Sequence, residues 1–350
     1  AEFPREKDEV ARFDVPPLFA MRLPRLLLAG IFNFSLLFLT LIAGVVEFAA
    51  PLMGFDLVDH HRWMSRLGAA ADRLSVSAIL GIATALLFLG LLGGVAQTLA
   101  RDYRFRLLRT ETGFHRRRGL LTVSEAAFPA DRVQVAILQT GPIRRLLGWF
   151  RLEFQTLGSA GNGAGHQVVA PLARLAEILP ILNELHLARL PPIGAYVKVS
   201  RRLVLHRSVE YLAILGAAVI AAGLLWPASF LLLTLFPMCV AIAELQWRHH
   251  SYCIGPDAVH VRNGVFSQRL WAIPLANVQA ITVTRSLAQR GLRLATLTID
   301  TAGASRFINP KIIDVEDSVA DTLARSLVPA STPSNPVLSP EQDCRLPACR

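Results

Sequence analysis

The feature that most constrains this chain is an internal repeat. When the sequence is shifted by 145 positions, residues 114–158 align without a gap on residues 259–303. Glycine and proline, which shape the backbone, stay in register: Gly119 with Gly264, and Pro129 with Pro274. A match of this length indicates a duplicated domain rather than a chance similarity. The chain must therefore contain two copies of one small fold.

Apolar residues are concentrated in four runs. Hydrophobic residues make up 53% of the 350 residues and charged residues only 18%, which is too apolar for an ordinary soluble protein. The runs are about 17 to 25 residues long, and at a helical rise of about 1.5 Å per residue such lengths are typical of segments that cross a bilayer. We predict transmembrane helices at residues 26–50, 76–99, 209–226 and 228–245. They form two helical hairpins, and each hairpin precedes one copy of the repeat.

Hairpins and repeated domains therefore alternate along the chain. The predicted order is a juxtamembrane lead-in (1–24), a transmembrane hairpin (25–99), a first small domain (101–188), a basic linker (189–208), a second hairpin (209–246), a second small domain (248–328) and a disordered tail (329–350). The tail is assigned from its richness in proline and serine.

Positive charge lies at the ends of both hairpins. The net charge is +10, and arginines are dense in residues 101–118, directly after the first hairpin. By the positive-inside rule, both ends of each hairpin face the cytoplasm, so both repeated domains are predicted to be cytoplasmic. Such a basic balance fits a nucleic acid or an anionic membrane surface. The neighbouring apolar runs favour the membrane, and no nucleic-acid partner is expected.

Within each copy the hydrophobic period is two. Phe150, Leu152 and Phe154 alternate with polar residues, and Leu297 and Ile299 do so at matching positions. This alternation predicts half-buried antiparallel strands, and their short spacing indicates a sandwich or barrel.

Each copy is expected to end with a strand that runs into proline and then directly into a helix. The prolines are Pro171 and Pro310, and proline suits the first turn of a helix. In the first copy Leu172 would begin the apolar stripe of that helix, and in the second Asp314 would cap it. The predicted fold class is thus helical membrane hairpins plus two all-β or α+β domains, each capped by a C-terminal helix.

These residues carry a family resemblance. The segments that carry it are Arg118-Gly119-Leu120-Leu121, Phe128-Pro129-Ala130-Asp131-Arg132-Val133-Gln134, Arg145-Leu146-Leu147-Gly148 and Thr156-Leu157-Gly158, with their counterparts in the second copy. The repeat resembles the bacterial pleckstrin-homology (PH) domain of membrane-flanked proteins, in particular the YdbT-like group. The resemblance implies two packed antiparallel sheets capped by a helix, in a multi-pass protein of the bacterial inner membrane. It also implies that residues 1–15 could be the remnant of an upstream copy.

No pattern for catalysis is found. Nucleophile elbows, phosphate-binding P-loops and H-E-x-x-H zinc motifs are absent from the sequence. The adjacent His60 and His61 would point about 100° apart on a helix and have no third ligand nearby. We therefore expect no enzyme activity, no cofactor and no metal. The resemblance supplies no reaction either, and a basic phosphoinositide motif in the first hairpin is not evident.

Two sets of residues are candidates for binding. The first is an arginine cluster that could contact anionic lipid, and its alternative is a set of solvated side chains that only enforces topology. It comprises Arg101, Arg104, Arg106, Arg116, Arg117 and Arg118. The second is the repeated pair Gln134 and Gln279, which could mark a shared groove. The alternative is that each glutamine bonds neighbouring backbone in a strand.

The leading functional hypothesis is a non-catalytic membrane protein that presents two cytoplasmic PH-like domains as interaction or scaffold modules. Their partners would be an unidentified protein or anionic lipid headgroups. The alternative is a component of a transport or lipid-handling system that uses the four helices. It rests on polar residues at or near the predicted spans: Asn33, Glu47, Glu210 and Glu244.

Overall fold

The structure is a computed structural model of the chain. It describes residues 16–33, 76–157, 165–185, 190–223, 232–302 and 309–327. The chain divides into two compact units, Ala1–Ala127 and Phe128–Arg350. Most of the predicted span at 26–50, the loop that follows it and the C-terminal tail lie outside the described residues.

The first unit combines a helix pair with a four-stranded sheet. Its elements are β1 (Phe19–Ala20), α1 (Leu23–Phe32), α2 (Val76–Asp102), β2 (Arg106–Arg109), β3 (Gly113–Arg118) and β4 (Ser124–Pro129), the last ending just past the unit boundary. The strands lie in the order β1-β2-β3-β4, and β2 pairs antiparallel with both β1 and β3.

Helices α1 and α2 approach each other closely through glycine. A Cβ atom at Gly30 would lie 2.6 Å from Val95 Cα, and one at Gly94 would lie 2.4 Å from the carbonyl oxygen of Asn33. Asn33 Nδ2 also donates a hydrogen bond of 3.2 Å to Thr98 Oγ1. Small residues and polar bonds of this kind are typical of helices that associate within a bilayer.

The second unit contains ten strands and six α-helices in its described part. The elements from the first copy are β5 (Val133–Thr140), α3 (Pro142–Leu146), β6 (Trp149–Thr156), β7 (His166–Arg174) and α4 (Leu175–Glu184). Next come β8 (Val197–Lys198), α5 (Arg202–Gly223) and α6 (Phe236–His249). The elements from the second copy are β9 (Ser251–Ile254), β10 (Ala258–Asn263), β11 (Gln268–Pro274), β12 (Val278–Thr284), α7 (Leu287–Leu292), β13 (Leu294–Thr301), β14 (Lys311–Glu316) and α8 (Asp317–Leu327).

One sheet of the second unit joins the two copies. Its order is β7-β6-β5-β11-β10-β9-β8, and a separate three-stranded sheet has the order β12-β13-β14. Strand β5 comes from the first copy and β11 from the second, and they pair antiparallel with Ala136 opposite Ala272 and Leu138 opposite Leu270. The copies therefore share a continuous hydrogen-bonded ladder.

The core of the second copy lies between these two sheets. Val259, Val261 and Ile273 of one sheet cluster with Leu297 and Ile299 of the other, all of them fully buried. Helix α8 covers the cluster with its buried apolar side chains, Ala320, Leu323 and Leu327. Two antiparallel sheets closed by a C-terminal helix confirm the predicted fold for this copy.

The structural repeat is longer than the sequence repeat. Strand β1 leads into the pair α1 and α2 as β8 leads into α5 and α6, and each pair is followed by three antiparallel strands. Strands β2 to β4 thus correspond to β9 to β11, and β5 to β7 correspond to β12 to β14. Each copy comprises a helix pair together with its PH-like strands.

The predicted ends of both copies were wrong in detail. Strand β7 continues through Pro171 and Leu172 to Arg174, and Pro310 is followed by strand β14 rather than by a helix. Asp314 lies within that strand and does not cap a helix. The physical reason is that β7 and β14 are edge strands, where a missing N–H is tolerated. The register of β6 and β7 also shifts beside Pro171.

Two described helices are long and apolar enough to cross a bilayer. They are Thr84–Asp102, within α2, and Arg202–Gly223, which is α5, with mean hydropathies of 1.4 and 1.6. Length and composition support membrane association for these two. The prediction of four spans stays a prediction, because residues 34–75 and 224–231 lie outside the described ranges.

Candidate anionic-ligand site

A basic pocket lies where helix α2 passes into the first sheet. It has a volume of about 380 Å³. Its lining comprises Tyr103, Arg104, Arg106, Arg117, Arg118, Gly119, Leu120 and Val123. Four of these eight residues are arginines, so the pocket suits an anion.

The backbone around the pocket is fixed by local hydrogen bonds. The chain reverses after α2 through Arg104, which has a φ of +48°. The loop between β3 and β4 is tied back to the helix, because Gly119 N–H donates to the Tyr103 carbonyl and Leu120 N–H donates to the Ala100 carbonyl, both at 3.0 Å. Gly119 itself has a φ of +121°, a conformation that favours glycine.

Two of the pocket arginines face each other across the strand pair. Arg106 on β2 is the direct cross-strand partner of Arg117 on β3. Like charges directly opposite in an antiparallel pair destabilise the sheet. Glu125 offsets part of this repulsion, since its Oε1 lies 3.2 Å from Arg117 Nε. Among the described residues no carboxylate pairs with Arg106. A bound anion would lower the repulsion between Arg106 and Arg117 further.

A second arginine pair is organised by a buried carboxylate and a ring. Arg118 Nη1 donates a 3.0 Å hydrogen bond to Asp102 Oδ1, and both side chains are largely buried. The Arg104 guanidinium lies 5.6 Å from the centre of the Tyr103 ring. These contacts hold Arg104 and Arg118 in place at the wall of the pocket. Planar guanidinium groups in fixed positions recognise phosphate and carboxylate groups through paired hydrogen bonds.

An exposed apolar loop adjoins the pocket. Leu121 is 87% exposed, and Leu120 and Val123 are also exposed. Large apolar side chains in contact with water beside a basic patch are typical of a surface that meets a membrane or a partner. In the second copy Phe266, in the corresponding loop, is 74% exposed.

The second copy does not repeat the basic pocket. The positions that correspond to Arg104, Arg106 and Arg118 are His249, Ser251 and Asn263. Only Arg117 has an arginine counterpart, Arg262, and burial is the main cause that lowers the pKa of Arg262. The pocket is therefore a feature that the first copy adds to the shared fold.

The structure separates the six predicted arginines. Arg104, Arg106, Arg117 and Arg118 line the pocket, whereas Arg101 is exposed in the last turn of α2 outside that lining. Arg116 is only 5% exposed. Burial, followed by repulsion from Arg118, lowers the pKa of Arg116 to about 10. Its position within β3 places it away from the surface that an anion reaches.

The two repeated glutamines have different surroundings. Gln134 on β5 is buried, and its carbonyl oxygen accepts a 2.9 Å hydrogen bond from Asn277 Nδ2. Gln279 lies on β12, where it is exposed at a register shift between Val278 and Ala280. The structure therefore brings Gln134 into the seam between the copies and leaves Gln279 on an outer strand.

A buried polar network escaped the sequence analysis. Asp314 is fully buried and has a φ of +57°. Its Oδ2 lies 2.9 Å from His206 Nδ1 on α5, and its Oδ1 accepts a 2.6 Å hydrogen bond from Gln289 Nε2. The network ties the apolar helix α5 to the second PH-like domain. No local pattern indicates it, because His206 and Asp314 are 108 positions apart.

A tryptophan with two neighbouring cations lies at the end of the second helix pair where α5 begins and α6 ends. The Trp247 ring lies 4.6 Å from Lys198 Nζ and 5.4 Å from the Arg201 guanidinium carbon. Trp247 Nε1 donates a 3.0 Å hydrogen bond to the Val199 carbonyl. Tryptophan with neighbouring cations is typical of the headgroup region of a bilayer.

Comparison with known proteins gives one family. A family model described as a bacterial PH domain matches residues 37–189 and again residues 204–328. The first match contains α2 and strands β2 to β7, and the second contains most of α5, all of α6 and strands β9 to β14. No curated protein and no solved structure matches the chain.

Proposed function

The chain belongs to the bacterial PH-domain family, and on that premise we propose a non-catalytic integral membrane protein that presents two cytoplasmic PH-like domains. Its first domain contacts the phosphate of anionic headgroups, and the second serves as an interaction module. The observation that carries the proposal is the direct opposition of Arg106 and Arg117 in a pocket beside the exposed Leu121. An anionic headgroup satisfies the arginines while the loop enters the apolar part of the bilayer.

Membrane insertion is supported by the surface of the helices. Leu86, Leu87 and Phe88 on α2 are exposed, as are Ile214 and Ile220 on α5. Removing apolar surface from water is worth about 25 cal/mol per Å², and a bilayer is the environment that removes it along a whole helix. We propose four spans, at 26–50, 76–99, 209–226 and 228–245, with the arginine-rich ends in the cytoplasm.

The lipid contact is supported by the position of the charges. The pocket begins directly after α2, so a span at 76–99 would hold it at the level of the headgroups. Each Lys or Arg near an anionic leaflet contributes about 1 kcal/mol of attraction. Apolar side chains at the level of the headgroups add to the free energy of membrane binding, and salt does not screen this part. Together these terms would hold the first domain against the membrane.

The test is a comparison of two arginine variants in the full-length protein. Purified protein in neutral detergent is melted with and without short-chain phosphatidylglycerol, and in a parallel arm with inorganic phosphate. A ligand that binds the folded state raises the melting temperature. We expect phosphatidylglycerol to raise the melting temperature of the wild type. In Arg106→Gln most of this rise should be lost.

Arg101→Gln is the matched control, because it removes the same charge from an exposed position outside the pocket. It should respond to the lipid as the wild type does. Equal losses in both variants, or an unchanged response in Arg106→Gln, would refute a specific pocket. Stabilisation by inorganic phosphate as strong as that by lipid would show an anion site that is not a lipid site.

A transport or lipid-handling role is the second candidate. Its support was the acidic residues near the spans, yet Glu210 pairs with Arg207 and Glu244 pairs with Arg248 on their own helices. The hydrogen bond between Asn33 and Thr98 joins two helices without requiring a permeant solute. A flux that survives the double change Glu210→Gln and Glu244→Gln would remove the remaining support.

A further inference from the structure

Two strands in the described part of the chain are equivalent to the strands of the seam between the copies. Strand β5 pairs with β11 across the seam. The counterpart of β5 in the second copy is β12, and the counterpart of β11 in the first copy is β4. In the described part of the chain, β12 and β4 are the outermost strands of their sheets, each on the side that corresponds to the seam. One chain therefore carries both halves of a second interface of the same kind, with β12 on one side and β4 on the other.

We propose that β12 of one molecule pairs antiparallel with β4 of a second copy of this chain, as β5 pairs with β11 within it. The pairing is head-to-tail, because each molecule uses a different strand on each side. Such heterologous contacts generate rings or open filaments rather than closed two-fold dimers. The inference is independent of lipid contact by the basic pocket.

The internal seam predicts the register of the intermolecular one. Within the chain Ala136 faces Ala272 and Leu138 faces Leu270. The counterparts place Ile281 opposite Ala127 and Val283 opposite Glu125. No like charges face each other in this register, and β-branched residues on β12 meet mainly small residues on β4. Such pairs suit a cross-strand contact.

Three of the side-chain bonds that join the two copies have counterparts able to form a hydrogen bond. They are Gln139 Nε2 to Ser267 Oγ at 2.7 Å, Asn277 Nδ2 to the Gln134 carbonyl at 2.9 Å, and Gln155 Nε2 to Thr301 Oγ1 at 2.9 Å. The equivalent positions are Thr284 with Thr122, Arg132 with the Gln279 carbonyl, and Asp300 with Thr156. Each of these pairs contains a donor and an acceptor. Gln134 thus lies at the seam within the chain, and Gln279 lies at the equivalent place on the edge proposed to pair with a second copy.

The exposed strand lacks the usual protection of a sheet edge. Residues 278–284 read Val-Gln-Ala-Ile-Thr-Val-Thr, without a charge or a proline, and four of them are exposed. Edge strands of monomeric proteins are normally blunted by lysine, proline or a bulge within the strand. Strand β12 has only one irregularity, at its first residues. Its remaining length is suited to addition of another strand.

Cysteine cross-linking of the full chain tests the register. In a background in which Cys239, Cys253, Cys344 and Cys349 are replaced by alanine, Ala126→Cys and Thr282→Cys are prepared as separate proteins and mixed under mild oxidation. We expect a disulfide-linked pair in the mixture and little in either protein alone. Ser124→Cys with Thr284→Cys is a second in-register pair, and Ala126→Cys with Thr284→Cys is the out-of-register control.

Three results would overturn the proposal. The first is that the out-of-register mixture cross-links as fast as the in-register mixtures. The second is that either single variant cross-links with itself as fast as in the mixture. The third is that neither in-register mixture gives a cross-link.

Association is checked independently by the mass of the particle in detergent. Thr282→Lys should lower that mass while leaving the circular dichroism unchanged, because the side chain is exposed. Adding Ala126→Asp in the partner should restore it, and an unchanged mass in Thr282→Lys would refute the edge.

Discussion

Neighbouring arginines in this protein serve different purposes, and the alternation of a strand decides which. Arg116 and Arg117 are adjacent on β3, so their side chains point to opposite faces of the sheet. Arg116 is buried and Arg117 lines the basic pocket. The sequence analysis treated residues 101–118 as one patch. A strict period of two would have divided Arg116 from Arg117, whereas the salt bridge of Arg118 with Asp102 depends on the helix end and could not be read from the sequence.

The apolar loop gives a prediction for one residue. Leu121→Ser should weaken attachment of the first domain to bilayers without lowering its thermal stability, because the side chain is 87% exposed. The measurement is hydrogen exchange of residues 119–123 in nanodiscs with anionic lipid against detergent. Wild-type loop amides should be protected by the bilayer, and those of the variant less so. Equal protection in both would show that the loop does not enter the membrane.

The turn glycines give a second prediction. Gly264 has a φ of +103°, and a Cβ atom there would lie 2.2 Å from the Ser267 carbonyl oxygen. Gly264→Ala should therefore lower the free energy of unfolding by roughly 1–3 kcal/mol, the usual cost of backbone strain. Denaturant unfolding measures it. Gly291→Ala is the control, since a Cβ atom at Gly291 has open space, and it should be neutral or slightly stabilising.

At the scale of elements, the sequence predicted types better than boundaries. The strands with strict alternation, β6 and β13, lie where the period of two placed them. The ends of β7 and β14 were wrong, because proline was interpreted as a helix start. Local pattern cannot distinguish a proline that opens a helix from one at a sheet edge. That difference depends on which strand is outermost, and the outermost strand is set by tertiary pairing.

Buried histidines in the second copy give a prediction for pH dependence. Burial lowers the pKa of His250 and of His260 to about 4. The unfolded chain binds these protons near pH 6.5, so the stability contributed by neutral burial is complete above that pH and is lost as pH falls from about 6.5 towards 4. Each histidine should contribute roughly 1.4 kcal/mol per pH unit in this window.

The measurement for this prediction is denaturant unfolding between pH 7 and pH 4. His260→Leu removes one buried titrating ring of similar volume, so the variant should lose less stability per pH unit than the wild type. His249→Leu is the control, because His249 lies in the last turn of α6 and its Nδ1 bonds the Leu245 carbonyl of the same helix. An unchanged pH slope in His260→Leu would contradict the assignment.

The link between α5 and β14 gives a fourth prediction. His206→Ala would leave a fully buried carboxylate, Asp314, with Gln289 as its remaining side-chain partner. Loss of one partner of a buried charged group costs about 1–3 kcal/mol. We expect a lower melting temperature and faster hydrogen exchange in β14. The same measurements on His249→Ala should match the wild type, because the His249 ring bonds a carbonyl of its own helix.

At the scale of the whole molecule, the sequence predicted two copies but not the seam between them. The repeat identifies equivalent strands, and equivalent strands offer equivalent edges. Nothing in the pattern says that β5 rather than β12 is paired. The side chains differ in retrospect, since Ile137 on β5 is buried and Thr282 at the matching position on β12 is exposed. The difference agrees with β5 being the paired strand. The sequence alone did not predict it, because the pairing has to be known before the two positions can be compared.

The shared sheet makes the second copy depend on the first. Ile137 and Val135 belong to the first copy, yet they lie in the hydrophobic core of the second, with Ile137 opposite Trp271 in the ladder. Ile137→Ala should lower the free energy of unfolding by about 2–5 kcal/mol, as truncation of a buried isoleucine does. The effect should appear as faster hydrogen exchange in β13, β14 and α8, which contain no residue of the first copy. Thr282→Ala, at the equivalent position of β12, should change stability by no more than about 0.5 kcal/mol. If exchange after Ile137→Ala rises only in β5 to β7, the copies fold independently and the seam is a contact between finished domains. If it rises in both, the two PH-like domains unfold as one cooperative body, which is the behaviour that a common core requires.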